Sequence, residues 1–240
     1  MLRYLSAEMQ KMKRTFSLKM LWIAPLVPLF CAYSGGQLSG FYFWYVAFLP
    51  GSLTIICSMV MLKDLKMKYR GILSLPVRKS ALWMGKVMAC SVIFFFSCVI
   101  FQVLITILGF IPPYTGIGHV STVSLLTASL LLFVTFLWQV PFCLFLSAKL
   151  GIFLTIIANM VFNIIGGAVF ADGELWILPF AIPIRLMSPV LHILPNGLPA
   201  EEGSVLLDTD VILPGVLISL VLFVVISILT TAWFGRQEAK

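Results

Sequence analysis

The sequence predicts an all-α polytopic membrane protein of six transmembrane helices, with N- and C-termini cytosolic, an N-terminal interfacial helix and a re-entrant outer hairpin before the last span. Three observations predict it: apolar runs recur at bilayer length, basic residues gather in alternate connections, and charge is scarce. Of 240 residues, 61% are hydrophobic and 10% charged, with a mean hydropathy of +1.09, whereas a soluble domain carries about 25% charged residues. That excludes a water-soluble fold. A span takes about 20 residues, so the chain accommodates roughly six in one membrane domain, residues 20–240.

Residues 1–19 come first. Leu2, Leu5, Met9, Met12 and Phe16 recur at steps of three or four, while Arg3, Glu8, Lys11, Lys13 and Arg14 fall elsewhere on the wheel. The pattern predicts an amphipathic helix in the membrane interface, with a solvated basic tail as the competing reading. A basic start before an apolar run imitates a signal peptide, but no small-x-small cleavage site follows, and the run is read as a membrane span.

Apolar runs at Met20–Tyr33, Phe41–Leu62, Ala81–Ile111, Val123–Ala148, Gly151–Phe170 and Val211–Phe234 are the predicted spans. The first is short and holds Pro25 and Pro28, so hydropathy alone would also allow a re-entrant hairpin. Charge decides for a span. With the N-terminus inside, all sixteen basic residues except Arg185 lie on the cytosolic side, whereas Asp172, Glu174, Glu201, Glu202, Asp208 and Asp210 lie outside. The net charge of +7 is thereby read as orientation against a membrane, not as nucleic-acid binding. Cys31, Cys57, Cys90, Cys98 and Cys143 all lie in apolar runs and read as small apolar helix residues. Gly36 and Gly40 have GxxxG spacing but flank a turn, and carry no weight.

Two connections exceed what joining helices requires. The outer one, 171–210, places Pro179, Pro183, Pro189, Pro195 and Pro199 among apolar residues such as Trp176, Ile177, Leu178, Leu191 and Ile193. Too broken for an ordinary helix and too apolar for a free loop, it predicts short half-helices dipping into the membrane where protein covers the backbone. The other is the cytosolic connection, 63–80.

There is no G-x-x-x-x-G-K-[ST] loop, so any ATP-driven activity requires ATP and Mg in another polypeptide. His119 and His192 have no Glu, Asp or Cys at ligand spacing, and Glu201-Glu202 read as a solvated loop. No metal, cofactor or catalytic residue is expected. The middle of each span holds no charged residue, which disfavours an ion-coupled carrier. Uncharged polar residues do recur: Thr155, Asn159, Asn163 and Gly167 every four positions, then Cys98, Gln102, Thr106 and Gly109, with Gln139 before Pro141. These are either interhelical hydrogen-bonding residues or, for Gln102, Gln139, Asn159 and Asn163, the lining of a path for an amphipathic substrate.

In the cytosolic connection, Leu65, Tyr69, Ile72 and Leu73 share a helical face, followed by Leu75-Pro76-Val77-Arg78-Lys79 and by Lys86. A short amphipathic helix there can dock in a groove of a soluble partner. With Asp64, Gly71, Leu75-Pro76, Arg78 and Lys86 in this order, the chain resembles the permeases of ABC transporters of the second type. The resemblance implies six spans, a re-entrant hairpin before the last, and a coupling helix seated on an ABC ATPase dimer. Asp64, Leu65, Tyr69, Gly71, Leu75, Pro76, Arg78 and Lys79 would form it, with Asp64 where the family has Glu.

A narrower likeness lies in Ala7-Glu8, Lys13-Arg14-Thr15-Phe16, Leu21-Trp22-Ile23-Ala24-Pro25, Ile184-Arg185-Leu186-Met187 with Pro189, and Pro195-Asn196-Gly197. On these the chain is similar to the lantibiotic-immunity permeases of Gram-positive bacteria. That implies location in the bacterial cell membrane, a second, similar permease subunit or a copy of this chain as partner, and export of an amphipathic peptide antibiotic met by Arg185, Pro195, Asn196 and Gly197. Acidic residues outside suit a cationic peptide, although they are equally the reverse side of orientation by positive charge. Other classes are a membrane anchor for a partner complex and a stand-alone channel or secondary carrier.

Overall fold

A computed structural model describes residues 2–13, 15–66, 78–111 and 120–237. It is about 84% helical, with no strands among the described residues, the composition of an all-α protein. The helices are α1 (Leu2–Met12), α2 (Phe16–Phe43), α3 (Leu49–Lys66), α4 (Lys79–Leu108), α5 (Thr122–Phe136), α6 (Gln139–Leu150), α7 (Ile152–Ile165), α8 (Ile182–Leu191) and α9 (Ile212–Gly235). Four helical stretches are long and apolar enough to cross a membrane, or up to six if each of two bent pairs is one span.

The first bend lies between α1 and Phe16–Ala32, which meet at 76°. The bend sets α1 off from the apolar helix that follows it. The second bend, 41°, separates α5 from α6, and Pro141 is its cause. Proline has no N–H for the carbonyl four residues back, and Val140 N donates to Leu137 O at 3.1 Å instead.

Inside α2 the backbone leaves helical geometry at Gly35 and at Gly36, where φ is 68°. Glycine alone enters that region without steric cost, so the expected turn between the first two spans falls here. Gly40 then lets the two arms close: a Cβ there would lie 3.0 Å from Ala32 Cβ and 3.1 Å from Ile105 Cδ1. The sequence reading gave Gly40 no weight, yet it stands at the close approach just beyond the turn. A π-helical turn, Trp44–Phe48, precedes Pro50, whose missing N–H interrupts the α ladder.

The core gathers around α4, against which α1, α2, α5 and α9 pack. Trp44 stacks on Phe101 with ring centroids 4.5 Å apart, and Trp83 lies against Phe234 at 4.9 Å. Trp83 Nε1 also donates to Thr230 Oγ1 at 3.0 Å, so this buried ring satisfies its polar atom while tying α4 to α9.

Between α7 and α9 one ten-residue helix, α8, is flanked by 3-10 turns. It is about 15 Å long, too short to cross a hydrocarbon core of about 30 Å by itself. Nine of its ten residues are buried, so protein covers the backbone on both sides of the breaks. The expected half-helices thus reduce to a single one among the described residues. Pro183 sits in the first turn, where its missing N–H costs nothing, and Pro195 and Pro199 lie in the turn that follows.

Candidate functional site

Three helices bring ionised side chains to one buried point. Lys86 lies seven residues into α4, about 10 Å from its start, and its side chain is 1% exposed. Its ammonium stands 3.0 Å from Glu8 Oε2 of α1 and contacts the Asp64 carboxylate at the end of α3. Lys11 Nζ holds the other Glu8 oxygen at 2.6 Å. The two buried carboxylates share the one buried ammonium of Lys86, and the solvent-reaching ammonium of Lys11 offsets the second charge. Burial pushes the Glu8 carboxyl up, but Lys86 and Lys11 outweigh it and hold it below the ordinary glutamate value.

Gly85 makes the approach possible. A Cβ there would lie 2.9 Å from Tyr4 Cβ and 3.3 Å from the Tyr4 carbonyl carbon, so α1 crosses α4 where side-chain bulk is missing. Sequence reasoning placed Glu8 on the polar face of α1, whereas it is buried. The available signal was that Glu8 and Lys86 are opposite charges on elements whose charged ends the sequence places on one side of the membrane.

Of the expected coupling residues, Asp64 is buried and faces Lys86 within the chain instead of outward. Leu65 is partly buried against the core. Arg78 is exposed at the N-cap of α4, and Lys79 Nζ donates to Gln237 O at 2.5 Å. Tyr69, Gly71, Leu75 and Pro76 lie outside the described residues.

Three of the four expected path residues meet in one network. Gln139 Nε2 donates to Asn163 Oδ1 at 2.9 Å, while Gln139 Oε1 accepts from Asn159 Nδ2 at 3.0 Å and from Asn163 Nδ2 at 3.2 Å. Asn159 Nδ2 also donates to Thr54 Oγ1 at 2.8 Å, and Ser58 and Ser147 hydroxyls pair at 2.7 Å. These side chains are buried and join α3, α6 and α7, the arrangement of interhelical hydrogen-bonding residues. Gln102 stands apart. It accepts from Ser129 Oγ at 2.5 Å and lines a lateral groove with Phe95, Val99 and Phe133 between α4 and α5.

In 171–210 the Arg185 guanidinium is buried. Its Nη1 donates to Leu206 O at 2.6 Å and Nη2 to Val205 O at 3.5 Å, pinning the chain that leads into α9. Pro195, Asn196 and Gly197 form a tight turn seated on α2, with Tyr42 Oη donating to Pro195 O at 3.3 Å. Gly197 has φ 89°, and a Cβ on it would lie 3.0 Å from the Tyr42 ring. Asn196 is exposed and its Oδ1 accepts from Leu198 N at 3.0 Å. Arg185 therefore supports the segment from within, while Asn196 is on its surface.

Fold and composition together define an all-α chain whose long apolar helices are those of a multi-pass membrane protein. Comparisons with family models, curated proteins and solved structures gave no match to the chain.

Proposed function

We propose that the chain is the permease subunit of an ABC exporter, oriented with both termini in the cytosol of a bacterial cell. It works with an ABC ATPase dimer and a second, similar permease subunit to remove an amphipathic peptide antibiotic from the cell membrane. The observation that carries this reading is the Glu8–Lys86–Asp64 cluster. It clamps the interfacial helix and the ends of α3 and α4 that flank the connection 67–77, so a partner pressing on that connection would move these elements as a unit. The segment 171–210 adds support through its surface: Leu198 and Val205 are 60% and 85% exposed on either side of Glu201 and Glu202. Apolar and acidic groups together suit a cationic amphipathic peptide.

Purification of a tagged chain from its native cell in mild detergent, with mass spectrometry of what remains bound, tests this directly. An ATPase with a second permease is the expected result, and an intact chain that is reproducibly alone would overturn ATP coupling in favour of a channel or carrier. Replacing Leu65, Tyr69 and Ile72 by serine should abolish peptide tolerance while membrane insertion persists. Retained tolerance would sink the coupling role of 63–80.

A further inference from the structure

We infer that the groove between α4 and α9 is a binding site for one anionic phospholipid, with an acyl chain along the groove and the headgroup at its basic end. The groove encloses about 640 Å³, within the roughly 300–1,000 Å³ of ordinary ligand sites. Its walls are Met84 of α4 and Phe223, Val224, Ile228, Thr231 and Ala232 of α9. Thr231 turns its hydroxyl away from any ligand, donating to Ser227 O at 2.6 Å, so the surface offered is apolar. From Phe223 to Gly235 the lining runs about 18 Å along α9. That is close to the hydrocarbon depth of one leaflet, about 15 Å.

The end of the groove is marked by charge and aromatic rings. Ser80 and Gly235 close it, and their neighbours are Lys79 and Arg236. Lys79 joins the two helix ends through Gln237 O, while Arg78 and Arg236 are exposed and meet no carboxylate among the described residues. Lys149 lies 5.2 Å from the centre of the Trp233 ring, and Trp233 packs edge-on to Trp83. Tryptophan beside lysine and arginine is the composition of the headgroup level, and basic residues at such a place attract anionic lipid. An apolar channel of one-leaflet length ending in cations matches a phosphatidylglycerol-type lipid better than a neutral one.

The test is native mass spectrometry of the full chain released from vesicles of equal phosphatidylglycerol and phosphatidylcholine with identical acyl chains. Retention of phosphatidylglycerol over phosphatidylcholine by about thirtyfold is expected from two nearby cations. Arg78→Ala with Arg236→Ala should bring the ratio to parity at unchanged melting temperature, and Arg78→Lys with Arg236→Lys should keep the preference. Ala232→Phe should lower retention of both lipids; if that variant fails to fold, the arginine variants carry the test. Equal retention of the two lipids, or a preference unaffected by the double alanine variant, would overturn the site. A chain without lipid that dimerises until Ala232→Phe is introduced would also overturn it, because the groove would then receive a second copy.

Discussion

Lys86 Nζ lies 3.0 Å from Glu8 Oε2, joining two residues 78 positions apart and fixing a helix that stands at 76° to the one following it. Beside it, Asp64 supplies the second carboxylate. Consequences for stability follow from which partner is removed.

Lys86→Met should be the most damaging single change in the cluster. It leaves Glu8 and Asp64 buried without their shared cation, and breaking a buried pair from one side costs about 3–5 kcal/mol. Thermal unfolding in detergent checks it, with a companion triple variant, Glu8→Gln, Asp64→Asn and Lys86→Met. The triple variant should recover most of the loss, because no charge is then stranded.

Acid should loosen α1. Glu8 has its carboxyl held below the ordinary value, so its contribution is complete above the unfolded glutamate value, roughly pH 4 to 5. It is lost as pH falls through the lower folded value. The acid limb of the melting temperature against pH should flatten in Glu8→Gln, and an unchanged limb would show that other groups set it.

Gly85→Leu should detach α1 without touching a charge. The added side chain would meet Tyr4 Cβ and the Tyr4 carbonyl carbon, and overpacking of this kind costs about 1–3 kcal/mol. Trypsin cleavage after Lys11 or Lys13 should accelerate relative to the native chain, whereas Gly173→Ala, with nothing within 4 Å of its added Cβ, should leave it unchanged.

Gln139→Leu should destabilise the bundle by about 1–2 kcal/mol, since interhelical hydrogen bonds in membranes contribute roughly 0.6 to 2 kcal/mol and Asn159 and Asn163 would both lose Gln139 Oε1. Peptide tolerance should fall no further than stability does, because the amide is sealed among helices. A loss of tolerance at unchanged melting temperature would return Gln139 to the substrate path.

Although the bend inside Val123–Ala148 appeared only in the structure, the sequence by itself determined the helical class, the apolar stretches and the proline-broken segment 171–210. These depend on hydropathy and on the missing N–H of proline, both local properties. It also marked α1 as amphipathic and grouped Thr155, Asn159 and Asn163 on one stripe, because helical period places residues four apart together. Only the tertiary structure decided what those faces meet. Glu8 looked solvated because a helical wheel cannot register a cation on another helix, and Arg185 looked available because the carbonyls of Val205 and Leu206 that hold it are backbone atoms invisible to residue type. Gly40 and Gly85 are the same case: a missing side chain acquires meaning only when a second helix arrives against it.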